Sequence, residues 1–442
     1  MSTPKIHLGW FTSFRPPVWT SHWTGSDADT WADGRFHVEM ARALERAGFD
    51  YLMLEDSSMV SDIYGGTTEF DLAKAQYAPK HDPVALVPML AAATTRLGIV
   101  TTMSTSFYPP YLLARVVSTM DHMSHGRVGW NVVTSSEDRA AQNFGMDALP
   151  PHDERYERAE EFVGAVDALW TSWEPDALVM NQETHVYVDH TKVHDANYVG
   201  KYHRTRGPLN TLPMPQGRPV ICQAGGSPRG RAFAAQNADT IICQAQGIEA
   251  MKAYRDDVRA MADAAGRDPN SIKILYIVSP VLGETDREAK ELDERSRAAT
   301  DGRVHSALAH ISAVTGNDLS TLDIDAPPPE LTTNGHRTTL ADFLAGSGGS
   351  KNNEDGTPKT LRQLAATWSI TSVPLVGTPD TVAGQMEDVI DAVGGDGFLM
   401  TGRLGRRYYT EVTDGLVPAL QRRGLVRTAY AHEQFRDNLL DF

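Results

Sequence analysis

Two cysteines in 442 residues are too few for a disulfide scaffold or a cysteine-built zinc site. Both, Cys222 and Cys243, sit inside apolar runs, which fits a reducing compartment. Positive charge is short as well: 41 basic residues stand against 57 acidic ones, for a net charge of −16. No basic run is interleaved with aromatics, so neither nucleic acid nor an anionic membrane surface is a fitting partner. No apolar run approaches the roughly 18 to 20 residues of a membrane span, and the first residues carry no leader-like apolar core. A cytoplasmic protein is therefore expected. There is no Gly-x-Gly-x-x-Gly turn after any strand and no phosphate-binding P-loop. The run Gly225-Gly-Ser-Pro-Arg229 lacks the second glycine of a hydrolase nucleophile elbow, and its proline stands where an oxyanion-hole N–H is needed. His185, His190 and His194, with Asp189, fall in an irregular stretch, where scattered surface histidines are commoner than a zinc site. No inward cluster of carboxylates and histidines marks a metal-dependent hydrolase.

What the chain does have is regular alternation. Hydrophobic residues make up 41% of it, enough to bury a sizeable core. Strands are expected at 6–11, 49–54, 97–103, 128–133, 219–224, 239–243, 272–282 and 397–400. Each is apolar throughout rather than alternating. Helices are expected between them at 35–47, 84–94, 111–123, 153–172, 251–265, 284–297, 379–393 and 410–423. Eight such strands separated by helices predict a parallel (β/α)8 barrel of the α/β class, a TIM barrel. The whole chain, 1–442, reads as a single domain with insertions at about 57–82, 173–217 and 300–372. In the last of these the alternation is lost, and Ala326 to Glu330 and the Gly/Ser/Asn-rich 345–357 predict flexible connections.

In such a barrel the chemistry gathers at the carboxyl ends of the strands. Those ends carry Asp56, Ser104 to Tyr108, Asn131 to Ser135, Gly225 to Ser227 and Gln244. They are hydroxyls, amides and one carboxylate, with aromatic rings close by, which suits a flat heteroaromatic ligand with a phosphate tail. The stretch 219–236 supplies the phosphate end. A short buried strand runs through two glycines to Ser227 at the N-cap and Pro228 at the first helical position. Unpaired N–H groups and the positive end of the helix dipole then face outward. An ordinary capped helix with solvated arginines has the same pattern. His152 and Tyr156 open a helix four residues apart and share a face near the fourth strand's exit; Tyr156 also begins an apolar stripe and would serve equally as a core tyrosine.

Several runs together resemble one family. They are Tyr108-Pro-Pro-Tyr-Leu-Leu-Ala-Arg115, Gly126-Arg-Val-Gly-Trp-Asn-Val-Val-Thr-Ser135, Asn143-Phe-Gly145, the helix start from His152 to Phe162, and Gln223-Ala-Gly-Gly-Ser-Pro-Arg-Gly-Arg231. The chain resembles the reduced-flavin monooxygenases of the bacterial-luciferase-like superfamily, in the group that acts on nitrilotriacetate, dibenzothiophene sulfone and long-chain alkanes. The resemblance implies the same barrel and reduced FMN as cofactor. It places flavin contacts on Asp56, Ser106, His152, Tyr156 and Ser227, with Asn131 and Thr134 added from the fourth-strand motif. Relatives usually carry threonine at position 106; serine keeps the hydroxyl. His152 is the one candidate catalytic group, acting by hydrogen bonding near the flavin. The implied partner is a separate NAD(P)H-dependent flavin reductase, and O2 is the co-substrate, activated as a flavin peroxide that must be kept dry. A homo-oligomer, dimer or tetramer, is expected. The insertions at 57–82 and 300–372 are expected to close over the site. Trp10, Phe11 and Phe107, with Trp19 and Trp23 near the same exits, favour an aromatic or heteroaromatic small molecule, riboflavin included; packing under a lid would explain the same rings. Three other functions fit the barrel less well: deazaflavin-dependent hydride transfer, flavin binding without catalysis, and metal-dependent hydrolysis.

Overall fold

The computed structural model describes residues 6–19, 30–298, 300–346 and 349–442. Eight strands close a parallel barrel: β1 (His7–Ser13), β2 (Tyr51–Glu55), β3 (Gly98–Ser104), β4 (Val128–Val133), β5 (Val220–Gln223), β6 (Thr240–Cys243), β7 (Lys273–Val278) and β8 (Gly397–Met400). Each pairs with its neighbours in chain order, and β1 closes the circle between β2 and β8, with Gly9 opposite Tyr51 and Trp10 opposite Met400. The expected (β/α)8 TIM barrel is therefore the observed one. The surrounding layer includes α1 (Arg35–Ala47), α2 (Pro83–Ala93), α3 (Pro110–Met123), α4 (His152–Trp170), α5 (Pro228–Asn237) and α6 (Ile248–Ala264). None of the helices among the described residues is long and apolar enough to cross a membrane.

Alternation along each strand sets what faces the barrel axis. Tyr51, Met53, Val100, Val220, Cys222, Ile242, Leu275, Ile277 and Leu399 fill the interior, and their neighbours in sequence pack outward against the helices. The bottom of the barrel is stoppered by the helix Phe435–Leu439, whose Phe435 and Leu439 enter the same interior cluster. Room for that stopper comes from a strand glycine. A Cβ on Gly98 would stand 2.5 Å from the Phe435 ring. Beside it Asp50, 2% exposed, accepts from Leu8 N at 2.8 Å and pairs with Arg427 and His7.

Two expectations need correcting. The seventh strand stops at Val278; Pro280 cannot donate to a ladder, and Val281–Leu282 instead pairs outside the barrel with Val376–Gly377. The insertion at 300–372 is not mainly irregular. It holds α7 (Asp301–Thr315), α8 (Arg337–Ala345) and α9 (Leu361–Thr367), which share a core of Val304, Leu308, Ile311, Leu340, Phe343, Leu361 and Leu364. The helices are short, and α7 and α9 begin at Thr300 and Thr360, whose hydroxyls accept from Arg303 N and Gln363 N, so capping starts these two where periodicity is too brief to read. Residues 173–217 form two small antiparallel pairs, Leu178–Asn181 with Val186–Val188 and Tyr198–Val199 with Arg204–Thr205.

Candidate functional site

At the carboxyl end of the barrel, β5 runs into the turn at 224–227. The Ser227 hydroxyl accepts from Gly230 N at 3.0 Å and starts α5, with Pro228 at the first helical position. Tyr254 of α6 donates to the Gly225 carbonyl at 2.6 Å, and Arg231 to the Gly226 carbonyl at 2.7 Å, so the turn is held from two sides. It is also tight. A Cβ on Gly225 would lie 2.5 Å from both the Gly230 carbonyl oxygen and Gln223 Oε1, and one on Gly230 would lie 2.7 Å from the Tyr156 hydroxyl. Tyr156 therefore reaches over the start of α5, its ring 5.8 Å from Phe233. Burial raises the Tyr156 pKa, which Ser227 and Gln223 partly oppose, so the phenol stays a hydrogen-bond donor. The arginines behind the turn are already paired: Arg229 with Glu160 and Arg231 with Asp257.

His152 opens α4 on the same side. It is 6% exposed, and its ring lies 5.2 Å from that of Tyr156. Its Nδ1 meets Asp153 Oδ1 at 2.7 Å, which leaves Nε2 without a protein partner among the described residues. Burial lowers its pKa, against the pull of Asp153, so the ring is neutral near pH 7. The insertion braces this end. Asn334 Oδ1 accepts from His152 N at 2.9 Å, and the Asn334 carbonyl accepts from Arg155 at 2.7 Å.

The opposite side of the mouth is built by β1 to β4. Ser106 Oγ donates to the Thr134 carbonyl at 2.8 Å, so the two candidate residues 106 and 134 are joined directly. Asn131, 4% exposed, points inward on β4 and donates from Nδ2 to Thr102 Oγ1 at 2.9 Å. Its Oδ1 is buried and has no partner among the described residues. A buried acceptor of this kind is costly until a ligand N–H meets it. Burial pushes Asp56 up to about 7, against the pull of Lys80. Next to it Glu55 accepts from Ser13 at 2.6 Å and from Lys80 at 2.9 and 3.0 Å, and Lys80 also donates to Ser57 at 2.7 Å. Burial alone would raise the pKa of Glu55; Lys80 reverses that and holds it below the usual carboxylate range.

Above this mouth the two insertions meet. Tyr77 of the first shares a hydrogen bond of 3.0 Å with His310 of α7 and stacks on it, and His310 lies 4.9 Å from Trp368. Tyr64 is hydrogen-bonded to His305 at 2.5 Å.

The candidate residues thus fall into two groups on one barrel end: His152, Tyr156 and Ser227 on one side, Asp56, Ser106, Asn131 and Thr134 on the other. Of the rings expected in the pocket, Phe11 faces the barrel interior and Phe107 stacks on Phe144 under α7, packed with Met59, Tyr77, Ala313 and Val314. Trp10 does not join them. One residue from Phe11 along β1, it takes the opposite face, is 3% exposed, and packs on Phe49 and Tyr408 in the helix layer. Trp23 lies outside the described residues. Sequence reasoning passed over Lys80 and Asn334, whose parts depend on contacts far apart in the chain, and gave Gly230 no role of its own. Gln223 stood in a quoted run without a role.

The residues present fit a flavin mononucleotide: a hydroxyl-lined, glycine-tight helix start for a phosphate, and an unsatisfied buried acceptor for a ring N–H. No group of three or more metal-ligating side chains occurs among the described residues. The family profile described as Luciferase-like monooxygenase matches residues 6–396. The dibenzothiophene-sulfone monooxygenase of Rhodococcus erythropolis (strain XP) is 36% identical, with 98% of this chain and 96% of that protein covered. The nitrilotriacetate monooxygenase component A of Aminobacter aminovorans is 33% identical over 92% of this chain and 90% of that protein. A crystal structure of riboflavin lyase with modified FMN and riboflavin superposes with a TM-score of 0.88 at 31% identity, covering 99% of this chain and 96% of that one. With the profile matched through nearly all of the strands and relatives above 30% identical along nearly the whole chain, this chain belongs to the luciferase-like monooxygenase family.

Proposed function

We propose that this chain is the oxygenase of a two-component system, taking reduced FMN from a separate NAD(P)H-dependent reductase and using O2 to oxidise or cleave an aromatic or heteroaromatic small molecule. The observation that carries this reading is the convergence on one barrel end of the tight Ser227 turn under Tyr156 and the unsatisfied Asn131 Oδ1. Similarity to a relative named as component A supports a separate partner, and the riboflavin lyase structure with FMN supports the cofactor.

Ser227, Tyr156 and the N–H groups at the start of α5 hold the phosphate; Asn131, Ser106, Thr134 and Asp56 hold the ring edge. Bound there, reduced FMN supplies the electrons that activate O2. The protein's own residues do the rest. The helices α7 and α9 and the segment 57–82 exclude water from the mouth, which protects an oxygen-activating site from side reactions. His152, neutral and anchored to Asp153, presents Nε2 as an acceptor beside Tyr156 and steers a hydrogen bond without bringing a charge. No side chain has to act as a nucleophile. The chain works as a single domain, in a homo-oligomer, dimer or tetramer, and in a cytoplasm-like reducing compartment where buried Cys222 and Cys243 stay thiols. Exposed Met180, Tyr187 and Val199 on the small strand pairs supply apolar surface for self-association.

Anaerobic titration tests the cofactor assignment. Reduced FMN is expected to bind at least about tenfold more tightly than reduced riboflavin, because only FMN uses the Ser227 turn. Equal binding of the two would remove the phosphate assignment.

A further inference from the structure

Among the described residues, the enclosed cations at this end of the barrel are unequally partnered. Lys80 is held by Glu55 and Ser57, and Arg155 by the carbonyls of Pro150 and Asn334. Arg15, two residues past the end of β1, is only partly exposed, and its Nη1 makes two long contacts of 3.3 Å to the carbonyls of Ala75 and Gln76. Among the described residues Nε and Nη2 have no hydrogen-bond partner, and no carboxylate lies within ion-pair distance. The nearby carboxylates are engaged elsewhere. Glu55 takes Lys80 and Ser13; Asp71 accepts from Ser61 N at 3.0 Å and Tyr77 N at 2.6 Å. Burial lowers the Arg15 pKa, with Glu55, Tyr77 and Asp71 opposing, so the guanidinium sits among the mouth residues rather than in bulk water. It also lies within electrostatic range of His310, which burial pushes down to about 4 and so leaves neutral. On this side of the mouth stand the rings of Tyr77, His310 and Trp368, with the Lys80 ammonium, already bound to Glu55, 5.5 Å from the Tyr77 ring.

A guanidinium desolvated without a carboxylate partner is unfavourable until an anion arrives, and its planar fork matches a carboxylate or a sulfur oxyanion. We propose that Arg15 is the specificity-determining contact of the substrate site, and that the substrate class is a flat aromatic body bearing one anionic oxygen group. The inference rests on the barrel mouth being the substrate site and narrows the aromatic class argued above. Arg15 would read the anion, while the half-buried Trp368 would cover the ring. The competing role is purely structural: Arg15 would only staple the turn that ends the helix Glu69–Lys74.

Equilibrium dialysis of the full-length protein with FMN present, against 2-naphthoate and against its neutral isostere 2-naphthamide, separates the two. The expected result is that naphthoate binds about tenfold or more tightly than naphthamide. R15Q should erase that preference without weakening naphthamide, and R15K should restore part of it. Equal binding of the two ligands to the unmodified protein overturns the proposal, even if R15Q does not accumulate. So does an R15Q protein that melts earlier yet keeps the preference, which is the outcome of a staple alone. FMN retained without any naphthoate preference sinks this inference and spares the cofactor reading; failure to retain FMN sinks the cofactor reading instead.

Discussion

Ser227 does two jobs that a substitution can pull apart. Its hydroxyl caps α5 through Gly230 N, and the same end of the helix faces the proposed phosphate. Ser227→Ala should cost about 1 kcal/mol of stability, the usual price of a lost N-cap. It should also weaken FMN binding while leaving riboflavin binding nearly unchanged, a difference that calorimetry with both flavins measures. Asp56 gives a second handle. Its folded pKa, about 7, lies above the ordinary carboxylate value because burial opposes ionisation. The folded state therefore holds a proton that the unfolded chain has lost, and stability falls as pH rises from the unfolded value of about 4 through 7. Asp56→Asn removes that penalty. In the flavin-free protein it should raise the melting temperature more at pH 8 than at pH 5, corresponding to about 1–3 kcal/mol after solvent screening. A uniform shift at both pH values would show that Asp56 ionises freely.

At the scale of elements, the insertion over the mouth behaves as a unit with its own core. Phe343, 1% exposed, and Leu340 of α8 pack on Val304, Leu308 and Ile311 of α7. Phe343→Ala should cost about 3–5 kcal/mol locally, because it leaves a cavity in a small cluster. Limited proteolysis should then cut within 300–372 while the barrel stays intact, and retained FMN should exchange faster. These helices were the least legible part of the chain. Runs of 15, 9 and 7 residues with alanine-rich faces offer few periodic positions, and the proline-rich 326–330 segment between them signals loop. What starts the first and the last of them, the hydroxyls of Thr300 and Thr360, is local chemistry that becomes visible only with the packing around it. By contrast β4 was readable to the residue. Its apolar run is bounded by Gly126 and Arg127 on one side and Thr134 and Ser135 on the other.

At the scale of the whole molecule, the barrel was legible because each strand is buried on both faces and so reads as a continuous apolar run. Which face each residue takes was not, and Trp10 shows why. A one-residue step along β1 separates the interior from the helix layer, and only the pairing register of all eight strands settles which residue goes inward. The stopper at 435–439 and the Asp50–Arg427 pair escaped for a related reason, since they join segments nearly the whole chain apart. Both are expected to govern global stability. Arg427→Met leaves a buried carboxylate without its guanidinium partner and should cost about 3–5 kcal/mol, seen as a loss in denaturant midpoint with the m-value unchanged. Phe435→Ala should cost a similar amount, since it empties the space that Gly98 leaves for the ring.

In the proposed function this barrel mouth holds reduced flavin and controls its encounter with oxygen. The most direct test is rapid mixing of the anaerobic protein and reduced FMN with oxygenated buffer, followed by flavin absorbance. Reoxidation in at least two phases, the last slower than for free reduced FMN and accelerated in Phe343→Ala, is the expected result. A single phase matching free reduced FMN, with no flavin retained by the protein, would contradict it.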